Sequence, residues 1–126
     1  MSRQILGLPL LICVLSQACI NFAGECNTEI KERKCNPEGN LQAISLMTDC
    51  GATTTPSYGI RIVLNCDNQT VGKPENTVVG SSRGMSFLWL SNDTLIIVGA
   101  DTTGGYVMKN ELKIPELNRE IIIIQE

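Results

Sequence analysis

Cysteine offers this chain most of its reactive chemistry, and histidine is missing from it altogether. There are six cysteines: Cys13, Cys19, Cys26, Cys35, Cys50 and Cys66. Without histidine, neither a Ser-His-Asp nor a Cys-His mechanism is available. The last four cysteines lie 9, 15 and 16 positions apart. Zinc sites use close cysteine pairs and often histidine, so this spacing argues against zinc. It fits two disulfides formed in an oxidising compartment, and four cysteines allow three connectivities. Cysteines held in bridges are not nucleophiles.

Carboxylates are the remaining groups able to act as acid or base. Asp49, Asp67, Asp93 and Asp101 sit beside or within expected turns, and nothing in their spacing brings two together. A paired-carboxylate hydrolase is therefore the weaker reading, and solvated turn residues the stronger. Gly104-Gly105 has no strand–loop–helix context for a phosphate loop and reads as a turn. No cofactor motif is present. Asn68-Gln69-Thr70 and Asn92-Asp93-Thr94 match the short N-glycosylation sequon, which matters only in a eukaryotic source. Trp89 reads as a core residue before a ligand platform.

The most distinctive segment is Asp49-Cys50-Gly51-Ala52-Thr53-Thr54. Its hydroxyls can satisfy backbone groups at a strand end, and Gly51 permits a turn that other residues resist. The alternative is a recognition loop formed by Asp49, Gly51, Thr53 and Thr54. A bridge at Cys50 would lock the segment and favours the structural role.

Several elements must position these residues. Residues 5–15 (ILGLPLLICVL) follow Arg3 and form an apolar run too short to span a bilayer, with Pro9 inside it. That pattern reads as a secretory signal, residues 1–23, with cleavage after residue 18 or 23. Residues 24–126 then form one domain. Ser16 stands where a lipobox has Leu, and Leu15 lies one residue further away, so the lipobox is degenerate and Cys19 is a candidate for lipidation that this pattern neither requires nor excludes. Losing Arg3 leaves nine of ten basic residues against thirteen acidic ones, a net charge of −4. With so few clustered cations and only 4% aromatics, nucleic-acid binding is not expected.

The mature sequence reads as short strands separated by turns. Strands are expected at 28–34, 41–48, 58–66, 77–79, 86–90, 95–98, 106–113 and 121–124, with a long mobile loop at 67–76. The fold class is all-β, a small antiparallel β-sandwich or barrel-like sheet. Ile121 to Ile124 should be an interior strand buried on both faces. A first hairpin centred on Glu38 sets Cys26 opposite Cys50, because each lies twelve residues from the centre. A bulge would shift that register by one. Exclusion then pairs Cys35 with Cys66. In a flat meander this bridge would have to cross the second strand, so either Cys35 curls round at the turn or the strand order differs.

Cys26 with Glu29 and Ile30, the turn Asn36-Pro37-Glu38-Gly39, Ala43, the Asp49 to Thr54 motif, Trp89-Leu90 and the stretch from Asn92 to Leu95 resemble a widespread family of small uncharacterised bacterial exported proteins, often lipoproteins. Cys35 and Cys66 lie outside that family's pattern. The resemblance implies export and a bacterial source and carries over no catalytic residue. The expected protein is a non-enzymatic component of the periplasm, outer envelope or medium. It would bind an unknown protein or envelope component, and would touch a membrane only through an N-terminal lipid. A carboxylate-dependent hydrolase and a purely structural lipoprotein are the rival readings.

Overall fold

The computed structural model describes residues 26–51 and 54–126. The expected signal segment 1–23, Cys19 and Thr53 lie outside the described residues. The chain forms β1 (Asn27–Cys35), β2 (Leu41–Asp49), β3 (Ser57–Leu64), β4 (Thr77–Ser81), β5 (Ser86–Trp89), β6 (Thr94–Val98), β7 (Glu111–Ile114) and β8 (Arg119–Gln125). Single 3-10 turns occupy Pro74–Asn76 and Pro115–Leu117. The fold is all-β.

The first sheet is an antiparallel meander ordered β1-β2-β3-β4. The second is ordered β5-β6-β8-β7 and is mixed, because β8 runs parallel to β6. The other strand pairs are antiparallel, as expected, and β6–β8 is the parallel exception among the described strands. A parallel pair needs a long crossover, and residues 99–118 supply it. The expected strand at 106–113 is split between the sheets. Its first part pairs with β4, where Gly80 N–H donates to Val107 O and Lys109 N–H to Val78 O, both at 2.8 Å. Its second part is β7, which pairs with β8. One side of the sandwich is thereby closed.

The two sheets bury one shared core. Leu41, Ala43, Ile60, Ile62, Val78 and Val79 from the first sheet meet Phe87, Leu95, Ile97, Ile114, Ile121 and Ile123 from the second. On the opposite side of the sandwich, Lys34 reaches across from β1. Its Nζ donates to Phe87 O at 2.7 Å and sits 4.9 Å from the Phe87 ring centre. Trp89 Nε1 returns a hydrogen bond to Lys34 O at 2.9 Å while its ring packs on the core.

The register of the first hairpin explains the bridges. Asn27 opposes Asp49 and Ile30 opposes Leu46, as centring on Glu38 requires. A bulge between Ile30 and Glu32 then shifts the inner half by one, so that Cys35 opposes Gln42. The Cys26–Cys50 bridge lies on the unshifted side. Cys35 is bonded to Cys66 in an intact meander. Cys66 lies beyond the end of β3, not within it. Asn65 takes a left-handed φ of 68° and turns the chain round the sheet end. Asn65 N–H donates to Asn40 O and Cys66 N–H to Gly39 O, so the bridge passes beyond β2 without crossing it.

β8 is an interior strand, but it is not buried on both faces as expected. Ile121 and Ile123 are buried, whereas Ile122 and Ile124 remain 42% and 38% exposed. The reason is geometric: alternate residues point to opposite faces, and among the described residues only the inner face has a sheet above it. Ile123→Asp should therefore destabilise the protein by roughly 3 kcal/mol or more. Ile122→Asp should stay within about 1 kcal/mol of wild type. Urea midpoints of the two variants, measured beside wild type, check this contrast.

Candidate functional site

The described residues of the Asp49 to Thr54 segment bond to one another. Asp49 Oδ1 accepts the Gly51 N–H at 3.1 Å. Gly51 O accepts both the Thr54 N–H and the Thr54 hydroxyl, each at 3.2 Å. Gly51 has φ 128°, which a side chain would resist. Cys50 is tethered to Cys26. Asp49, Gly51 and Thr54 are exposed, but the polar groups just named are already satisfied locally. The segment is built as a strand-end turn.

The turn aspartates are dispersed. Asp49 precedes the β2–β3 connection, Asp67 lies in β3–β4, Asp93 in β5–β6 and Asp101 in β6–β7. Asp101 Oδ1 is held by the Thr103 hydroxyl at 2.7 Å, and these hydrogen bonds keep its pKa below the ordinary value. Asp93 joins an interlock that sequence reasoning missed. Arg119 Nη1 lies 2.9 Å from Glu38 Oε2 and 3.4 Å from Asp93 Oδ1, distances that are ionic though not aligned as hydrogen bonds. Arg119 Nη2 donates to Glu38 Oε1, which also accepts from Asn92 Nδ2. Buried Asn36 accepts from Gly39 N–H and Leu41 N–H and donates to Asn92 O. The turns of the two sheets are thus locked end to end, and both carboxylate oxygens of Glu38 are engaged.

Part of the outer face of the first sheet is covered by residues 65–72, which overlap the loop expected at 67–76. Gln42 is fully buried, and its Nε2 donates to Asn65 O at 2.9 Å and Asn68 O at 2.6 Å. Arg33 donates to Gln42 Oε1 and to the carbonyls of Asn68, Gln69 and Thr70. Arg61 donates to Val71 O. The two arginines flank Ile44 in register and leave it fully buried. The clue in the sequence was Arg61, an arginine inside the otherwise apolar pattern of β3. Both sequon asparagines are engaged: Asn68 Nδ2 donates to Leu64 O and Asn92 Nδ2 to Glu38 Oε1.

The outer face of the second sheet is different. Leu88 opposes Ile96, and Ile96 opposes Ile124, giving an apolar row across three strands. Leu88 and Ile124 in this row, with Leu90, Val98 and Ile122 around it, are 38–55% exposed. Their combined exposed area is ~400 Å², the size of the apolar patches that often mark interaction sites on monomeric proteins.

Two clefts accompany these faces. One, of about 310 Å³, includes Lys73, Glu75, Lys113 and Glu116 in its lining. The other, of about 270 Å³, has the facing Gly59 and Gly80 beside Tyr106. Tyr106 packs so closely on Gly80 that an added Cβ would lie 3.2 Å from its ring. Among the described residues no group of three or more His, Cys, Asp or Glu could hold a metal ion.

Fold and faces together define a disulfide-braced β-sandwich with one strapped and one bare outer face. No family model, curated protein or solved structure matches the chain.

Two consequences can be measured. Gln42→Leu should take one donor from each of the Asn65 and Asn68 carbonyls and one acceptor from Arg33, and lower stability by about 1–3 kcal/mol. Hydrogen exchange across 65–72 should rise with it. The second concerns acid. Arg119 hydrogen-bonds to Glu38 and holds its carboxyl below the ordinary value of 4.5. A depressed folded pKa stabilises above the unfolded value and is lost as pH falls through the folded one. The Tm penalty of Glu38→Gln should therefore be present at ~pH 7 and shrink steadily below pH 4.5.

Proposed function

We propose that this protein is a non-enzymatic, exported bacterial protein that binds another macromolecule through the outer face of its second sheet. The observation that carries the reading is the exposed row Leu88–Ile96–Ile124 with Val98 and Ile122 beside it. Water-facing apolar side chains in cross-strand register are costly to keep unless something covers them. Two disulfides favour an oxidising, non-cytoplasmic setting. No helix among the described residues is long and apolar enough to cross a membrane. The signal-like segment 1–23 and the Asp49 to Thr54 resemblance support export from a bacterial cell. Anchoring through a lipid on Cys19 is a separate proposal, decided by the mass of the mature N-terminus. The non-enzymatic reading draws on the dispersal of the turn aspartates and on the engaged oxygens of Glu38.

The test compares wild type with the double variant Leu88→Ser/Ile124→Ser in capture from the envelope fraction. Wild type should retain a partner that the variant loses, with the urea midpoints of both proteins alike and the partner's mass unchanged. Retention by both proteins counts against this face, and a partner released with altered mass counts against the non-enzymatic reading.

A further inference from the structure

The charges around the apolar face constrain what can cover it. β5 and β6 carry no charged residue. On this face the charges are Glu111 and Lys113 of β7 and Glu120 of β8 at one rim, and Glu126, which continues the β6–β8 ladder beyond Ile124, at the far end. Lys113 opposes Glu120 and Glu111 opposes Ile122, which places the two carboxylates diagonally across the β7–β8 ladder. The lysine makes no ion pair with either within 4 Å. The rim is acidic and its carboxylates crowd each other. The hydrogen bond and like charge of Glu111 push the Glu120 carboxyl above its ordinary value of 4.5.

We infer that the partner is a different protein, one that meets this sheet with an apolar centre and places lysine or arginine side chains against Glu111 and Glu120. This rests on the reading above that the face is a docking surface. Size points to a protein. An apolar patch of ~400 Å² at the usual ~60% apolar share implies a footprint of ~700 Å², close to the ~800 Å² each partner contributes to a standard interface. Charge then selects among macromolecules. A second copy would have to pack face to face about a twofold axis lying between the sheets. With the axis along the strands, the acidic rim lies over the uncharged β5 of the other copy. With the axis across the strands, Lys113 can meet Glu111 of the other copy, but Glu120 then lies over Ile122. Neither arrangement sets a cation over Glu120. An anionic lipid surface repels the same rim. A partner with a basic rim relieves the crowding and is steered towards it.

The test uses two synthetic β-hairpin peptides with identical apolar faces, one flanked by lysines and one by glutamates. They are titrated into the purified, disulfide-bonded protein and followed by amide chemical shifts. The lysine peptide should bind at least ~tenfold tighter, with shifts on β5, β6 and β8. That preference should collapse in Glu111→Gln/Glu120→Gln and in ~1 M salt, where charges are screened beyond ~3 Å. Equal binding of both peptides to the face overturns the basic partner and leaves the docking surface standing. Binding of neither peptide overturns the docking surface and the functional reading with it. A dimer in sedimentation that Ile124→Lys abolishes makes the occupant a second copy and overturns this inference.

Discussion

A β-sheet has two faces, and a sandwich of two sheets can cover only one face of each. The other two must be polar, strapped or left bare, and the rest of this molecule follows from how that is handled. On the first sheet the apolar residues Ile44, Leu46 and Val63 point outwards and form a second small cluster with Ile30. Residues 65–72 cover part of this face and bring a row of backbone carbonyls that need donors. Gln42, Arg33 and Arg61 supply them, and the Cys35–Cys66 bridge holds the strap at its root. A buried amide such as Gln42 is costly alone and inexpensive inside such a network. On the second sheet no comparable strap exists among the described residues, and Leu88, Ile122 and Ile124 stay exposed.

The edges are handled with equal economy. β1 is a nine-residue edge strand, long enough to template pairing with another chain. It carries Glu29, Lys31, Glu32, Arg33 and Lys34 and a bulge at its middle. Charge and irregularity of this kind discourage edge-to-edge pairing. The outer edge of β4 is occupied by the segment around Val107 to Lys109, and Lys34 joins the β1 edge to β5.

Much of this was legible from local patterns. Alternation located β2 and β3 closely, whereas Cys26 meets Cys50 because the bulge converts the register beside the turn, where Cys35 opposes Gln42, into one where Asn27 opposes Asp49. The bulge at Lys31 was not legible, because nothing in Glu29-Ile30-Lys31-Glu32 marks which residue is extra. Four consecutive isoleucines read as a strand buried on both faces, since composition cannot reveal whether a second layer exists. The parallel pairing of β8 with β6 depends on where residues 99–118 travel, a long-range matter that no short window encodes. Of the residues of the alternative recognition loop, Asp49, Gly51 and Thr54 share one turn held by local hydrogen bonds. The row Leu88–Ile96–Ile124 becomes visible only when three strands distant in sequence are laid side by side. The same holds for Arg119, which meets Glu38 across 81 residues of chain.

All four bridged cysteines belong to the first sheet and its turns, with sequence separations of 24 and 31. The first sheet is a run of neighbouring hairpins, whereas β6 must wait for β8. In a chain that emerges N-terminus first, both bridges can close before β5 has appeared. Oxidative folding and assembly of the core are then separate events in time. The meander becomes a covalently closed template, and the C-terminal half condenses on it without handling a free thiol.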